Sequence, residues 1–377
     1  MKRRVIVPVS LRALSDVRKT ARLRRLLCRS LLGFGLLAGS LALQAQTLTD
    51  RLDVPARVTV KAAESSLNAL AVAGTRLIAA GQRGHILWSD DGSSNWYQSQ
   101  VPVSSDLTAV QFVDARHGWA VGHDGVILHS RDGGESWQLQ LDGHRIAELL
   151  SGLAAGLDPE QHKRVVLDLE RAAAQGVDQS LLGLHFRDAN NGIVIGASNL
   201  VLRTRDGGKS WQVISDKVDN PRGLHLYGIQ EAFGRLFIVG EQGLILRQAT
   251  GSEDFESLAS PYQGSWFGAL GSADRLLVYG LLGNAWLSRD GGVTWQQSEL
   301  DSSVAITSAS VVGASELVMV SLGGEVFRSS DGGGHFEHLD VDQRYPFFAV
   351  APDADSALVV AGIRGVQAVT SKRGVQP

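Results

Sequence analysis

The chain has 377 residues, 44% of them hydrophobic and 20% charged, which is enough apolar content to bury a substantial core. Its formal net charge is −3, but residues 1–30 hold ten Lys or Arg and one acid; setting that stretch aside takes 36 basic residues to 26 and 39 acidic residues to 38, a net of −12. So acidic a body is a poor match for nucleic acid or an anionic lipid surface.

The amino terminus reads as a processing segment. An apolar run over residues 31–45, ending Leu43-Gln44-Ala45, follows the basic leader. This predicts a signal peptide over residues 1–45, cleaved after Ala45, and export to the periplasm or an equivalent lumenal or extracellular side of a membrane. The run is short for a membrane span, so contact with a membrane is expected to be peripheral at most. The single cysteine, Cys28, lies in this leader, and Arg25-Leu26-Leu27 before it is not a lipobox. The exported body therefore has neither a disulfide nor a thiol nucleophile.

Residues 55–62 alternate apolar and polar with period two and have no neighbouring strand to pair with, which predicts a lone strand. From there to the carboxyl terminus one short string returns seven times: a glycine, two variable residues, usually a second glycine, then an apolar strand. It starts at Gly81, Gly122, Gly196, Gly240, Gly280, Ser321 and Gly362, at spacings of 41, 74, 44, 40, 41 and 41 residues. A period near 40 with short strands and glycine turns is the pattern of a β-propeller blade, so seven copies predict an all-β, seven-bladed propeller over residues 46–377. The seventh copy lacks sequence for a fourth strand, and the strand at residues 55–62 is expected to complete it and close the ring.

Four copies go on to the Asp-box pattern Ser/Thr-x-Asp-x-Gly-x-x-Trp/Phe, pairing Asp132 with Trp137, Asp206 with Trp211, Asp290 with Trp295, and Asp331 with Phe336. In the fifth, Asp91 with Trp96, a serine replaces the last glycine; in the sixth, near Phe255, only Gly251 and the aromatic remain. Asp and Ser side chains bond turn amides, glycine takes positive φ and the aromatic covers the hairpin, so these residues are expected to be structural.

The 74-residue step carries an insertion over residues 142–178. Asp158-Pro159-Glu160 reads as a helix start, and Val165, Val166, Leu169, Ala172 and Ala173 recur at helical spacing; residues 146–153 read as a shorter helix before it. A helical hairpin between blades 2 and 3 is expected. In a propeller the inter-blade links and the turns between second and third strands share one end of the ring, so the insertion marks that end as the binding face.

The second blade is the cleanest copy: Leu107-Thr108-Ala109-Val110-Gln111-Phe112-Val113-Asp114, then Gly118-Trp119-Ala120-Val121-Gly122, then the box ending at Trp137. This combination resembles the seven-bladed photosystem II stability and assembly factor family, within the Asp-box (bacterial neuraminidase repeat) propellers. Weaker versions recur at residues 182–211 and 266–295. The resemblance implies a non-enzymatic helper that assists assembly of a membrane reaction centre from the lumenal side. The chain departs from that pattern in lacking a lipobox or transit peptide, in its insertion and in its acidity. These departures imply a relative in a bacterial envelope whose client is another membrane complex, such as a transporter.

The rival reading is a sialidase-like glycoside hydrolase or a glycan-binding propeller, since Asp boxes also occur there. Such an enzyme needs an arginine cluster, a Tyr–Glu pair and an Asp. Only Tyr97, Tyr227, Tyr262, Tyr279 and Tyr345 are available. No catalytic, cofactor or metal residues are assigned: the histidines are scattered and the Asp-Gly-Gly turns lack the spacing of a calcium loop. Expected partner contacts sit on tips of the insertion face: Arg83, His123, Arg222, His225, Glu241, Arg344, Tyr345 and Arg364, with Leu281 and Leu282 as an exposed apolar pair.

Overall fold

The computed structural model describes residues 50–369 except Gln175, Val177 and Gln343. The expected leader with Cys28 lies outside the described residues.

Seven antiparallel sheets follow one another along the chain. Blade 1 runs through Leu67–Ala73, Arg76–Gly81, Ile86–Ser89 and Tyr97–Gln98. The next five repeat this four-strand meander, beginning at Leu107, Leu181, Leu226, Trp266 and Ile306. Blade 7 has three strands among the described residues: Phe347–Pro352, Leu358–Gly362 and Gly365–Ala368. The first strand of each blade is innermost and packs against the first strands of its neighbours. Close approach there demands small residues: a Cβ added to Gly228 would stand 2.9 Å from the Cα of Gly268 in the next blade.

The expected seven-bladed ring is present, but its closure differs. Residues 55–61 form no strand with blade 7 and run along blade 1 instead. The Ala56 N–H donates to the Val101 carbonyl at 3.0 Å, and the Gln98 side chain accepts from the Thr59 N–H and donates to the Arg57 carbonyl, both at 3.0 Å. An outer strand leaves unpaired backbone that something must cover. In blades 2, 4 and 6 the preceding link does so in parallel, with Gln100 beside Ser136, Val218 beside Phe255, and Glu299–Leu300 beside the strand His335–Leu339. The amino-terminal segment serves blade 1 in a related way, and its period-two alternation suits an edge cover as well as a ladder strand. Blades 7 and 1 then meet by packing: Ala62, Leu67 and Ala79 share a buried cluster with Ala349 and Ala361, and the Ala63 carbonyl closes over Gly365.

The insertion is a pair of helices, α1 (Gly143–Gly156) and α2 (Lys163–Ala174). Helix α1 starts earlier than its apolar spacing suggested because Asp142 caps it, accepting from the Arg145 N–H at 3.0 Å. Asp158 does not start α2; it holds a separate turn, accepting from the Glu160 and His162 amides, and α2 begins five residues later. Ile146, Leu150 and Ala154 of α1 and Leu169 of α2 join the core between blades 2 and 3, where Trp119, Leu181, Phe186 and Val194 are buried.

Candidate binding face

At the end of the ring carrying the insertion, one hydrogen bond repeats in all seven blades. The first residue of the turn between second and third strands donates its N–H to the carbonyl just ahead of the same blade's inner strand. The pairs are Gln82 to Ser66, His123 to Asp106, Ala197 to Ser180, Glu241 to His225, Leu281 to Ser265, Leu322 to Ala305, and Ile363 to Pro346, between 2.9 and 3.2 Å. In six blades a glycine precedes the turn and lets the chain come this close, since a Cβ on Gly122 or Gly240 would fall 2.2 Å from that carbonyl oxygen; blade 6 carries Ser321 there. The turns are thus fixed by main chain, and their side chains are free to point outward.

The eight expected contact residues all lie on these turns or on the neighbouring links, but they form separate groups. Arg222, His225 and Glu241 come together: the His225 Nδ1 accepts from the Ser198 N–H at 2.9 Å, the Glu241 carboxylate accepts from the His225 N–H at 2.9 Å, and Arg222 donates to Gln242 at 2.8 Å. Tyr227 reaches the other Glu241 oxygen at 3.4 Å, and burial together with that carboxylate pushes its hydroxyl above the ordinary tyrosine range. Arg364 lies over the Tyr345 ring at 5.6 Å, while Arg344 faces Asp340 at 3.8 Å. Burial pushes the Tyr345 hydroxyl up. Arg83 and His123 stand apart on blades 1 and 2, His123 bonding Ser180 through Nδ1 at 2.9 Å.

Between α2 and the link of residues 215–223 opens a cleft of about 440 Å³. Val165 and Leu169 of α2 and Leu200, Val218 and Pro221 of the propeller make its apolar walls. Its rim is charged. Asp168 takes Arg171 at 3.1 Å and Arg164 at 3.8 Å, and the Arg164 guanidinium also bonds the Pro221 carbonyl. Arg222 belongs to this rim as well. The α2 side of the cleft has no mark in the sequence, since Arg164 and Arg171 fall on a polar helix face with nothing to set them apart. Leu322 was also missed, although aligning the seven turns puts it beside Leu281 and Ile363.

The box aspartates lie at the opposite end. Asp132 accepts from Ser130 Oγ at 2.8 Å and from the Ser136 N–H at 3.0 Å, and the same pattern recurs at Asp206, Asp290 and Asp331. Bonds from Ser210 hold Asp206 down to about 2, and bonds from Thr294 do the same for Asp290. Asp91 repeats the arrangement with Ser89 and Asn95. Trp137, Trp211 and Phe336 are buried beneath their turns, and Trp96 and Trp295 are half-buried against the blade cores. Tyr279 is buried, and that burial pushes its hydroxyl up to about 12. No helix among the described residues is long and apolar enough to cross a membrane.

A family model described as photosynthesis system II assembly factor YCF48 matches residues 82–148 and 168–263. The gap falls on the insertion. The photosystem II assembly protein Ycf48 of Thermosynechococcus vestitus is 26% identical over 54% of this chain and 74% of its own length. The photosystem II stability/assembly factor HCF136 of Cyanidioschyzon merolae is 44% identical over a short stretch, 11% of this chain and 10% of that protein. Among solved structures, YCF48 bound to D1 peptide superposes with a TM-score of 0.60 at 18% identity, covering 82% of this chain and 94% of that one. YCF48 from Cyanidioschyzon merolae gives 0.60 at 15% identity, over 84% and 98%. Streptogramin B lyase gives 0.63 at 11%, over 84% and 97%, so the fold alone does not separate binder from enzyme.

Proposed function

This chain is a photosystem II assembly factor-like seven-bladed propeller, and from that premise we propose that it acts outside the cytoplasm as a non-enzymatic assembly or stability factor for a membrane protein complex. The observation that carries the reading is the insertion face, where seven main-chain-pinned turns and a helix-walled cleft present exposed side chains such as Arg83, Arg222 and Leu282. The structural neighbour solved with a D1 peptide supports a peptide of a membrane protein as the kind of ligand. Residues 1–45 act as the export signal, and the exported chain lies in the periplasm or an equivalent compartment. With no lipobox, and with an insertion that the family model skips, the client here is an envelope complex such as a transporter.

The test is cross-linking of the tagged chain in envelope membranes, followed by identification of what is captured. Recovery of subunits of one membrane complex, together with loss of that complex on gene deletion, is expected. Recovery of no membrane subunit, with every envelope complex intact in the deletion strain, overturns the reading.

The glycosidase alternative has one specific observation behind it, the contact between Tyr227 and Glu241. That hydroxyl is harder to ionise than usual, and Arg222 on the neighbouring link is committed to Gln242, which argues against a nucleophile facing an anionic sugar. Turnover of a fluorogenic sialoside that is abolished by Tyr227→Phe would establish the alternative.

A further inference from the structure

Seven equivalent turns provide an internal comparison. At the first turn position blades 1–4 carry Gln82, His123, Ala197 and Glu241, whereas blades 5–7 carry Leu281, Leu322 and Ile363. Since every one of these residues makes the same main-chain bond, the turn itself has no need of an aliphatic side chain. Yet Leu281 is 37% exposed, Leu322 45% and Ile363 53%, and Leu282 beside Leu281 is 61% exposed at a positive φ of 57°. Leucine is poorly suited to that backbone region, so this side chain stands in water on a strained residue.

The three turns are physically continuous. Gly283 abuts the Ser302 carbonyl; a few residues on, the Ala305 carbonyl receives the Leu322 N–H; Gly324 abuts Tyr345; and the adjoining Pro346 carbonyl receives the Ile363 N–H. At the end of this arc stands Arg364, stacked over Tyr345 and without an ion pair among the described residues. An apolar arc on a strongly acidic body, ended by one uncompensated cation, specifies its occupant by complementarity.

We propose that this arc, Leu281, Leu282, Leu322 and Ile363 with Arg364 at its end, is the docking surface for an apolar protein segment carrying a carboxylate that meets Arg364. It rests on the assembly-factor reading and assigns that function a surface on blades 5–7, across the ring from the insertion. An anionic membrane is the poorer occupant, because the acidity of the body repels it.

Two measurements test this. The first uses anilinonaphthalene sulfonate, an apolar anion, titrated against the purified chain. Saturable binding is expected to weaken about tenfold in the Leu282→Ser/Leu322→Ser/Ile363→Ser variant and about threefold in Arg364→Gln, with no change for Val293→Ser on the box face. Unchanged binding in the folded triple variant, checked by circular dichroism, overturns the proposal. The second places a photo-cross-linking residue at Leu322 or, on the box face, at Lys209. Client cross-linking from Leu322 alone supports the arc. A client that co-purifies but cross-links only from Lys209 overturns the arc and leaves the assembly role standing, and absence of any client fails the assembly role and the arc with it. Cross-links between two copies of the chain, or vesicle binding that the triple variant abolishes, overturn the choice of occupant.

Discussion

Gln111 of blade 2 holds both main-chain groups of Phe186 of blade 3: Oε1 accepts the Phe186 N–H at 2.7 Å and Nε2 donates to the Phe186 carbonyl at 3.2 Å. Above this clasp Thr108 donates to the Leu181 carbonyl at 2.6 Å, and Trp119 stacks on the Phe186 ring at 3.8 Å. The interface between blades 2 and 3 is therefore a polar clasp backed by an aromatic stack. Gln111→Met keeps the volume but leaves two main-chain groups without partners, and is expected to lower unfolding free energy by about 1–3 kcal/mol in a urea titration.

A second prediction concerns the repeat glycine. Gly122→Ala puts a methyl into the Asp106 carbonyl and forces the blade 2 turn off its anchor, at a cost of about 1–3 kcal/mol. Ser321 occupies the same place in blade 6 and uses its hydroxyl, donating to Glu325 at 2.7 Å and accepting from the Gly323 N–H at 3.1 Å. Ser321→Gly is thus expected to cost less than Gly122→Ala in parallel thermal melts, and the reverse order would refute this account of the motif.

Acid sensitivity is a third consequence. His129 stacks on Trp119 at 4.5 Å with its Nε2 buried and unpartnered; burial, then Arg131 and His117, push it down to about 4. A folded-state value below the unfolded value means the native chain resists protonation. Stability is full above about 6.5 and is lost as pH falls from there toward 4, by up to about 3 kcal/mol. His129→Phe keeps a stacked ring and should flatten the stability profile between pH 4 and 6.5, whereas an unchanged profile would assign the acid sensitivity to other groups.

The insertion yields a fourth. Leu150 of α1 is buried in the core between blades 2 and 3, so Leu150→Ala is expected to cost about 2–5 kcal/mol, as a core truncation does. A helix that merely decorated the surface would show almost no effect in the same denaturation measurement.

The blade count and the boxes were readable in the chain because their causes are local: Gly122 answers a carbonyl sixteen residues away, and Asp132 bonds residues within four positions of itself. Ring closure was not, because alternation over residues 55–62 reports only an extended strip with one wet side and cannot tell blade 7 from blade 1. What decided it was the Gln98 side chain, a long-range partner that no periodicity reveals. The insertion was visible, but the start of α2 was misplaced because Asp158 and Pro159 serve a single turn as well as they would a helix. The eight candidate contact residues do share one end of the ring, because turns between second and third strands and inter-blade links fall there in any such meander. What the sequence does not reveal is their grouping, since His225 and Glu241 meet through the His225 N–H and Arg222 reaches the same turn at Gln242.

Anchoring each turn by its main chain has an evolutionary corollary. Alphabet changes at Gln82, Glu241 or Leu322 leave the anchoring bond intact, so their effects on recognition are expected to add nearly independently. A wheel built this way can be re-lettered sector by sector toward a new client while its thermodynamic frame stays as it was.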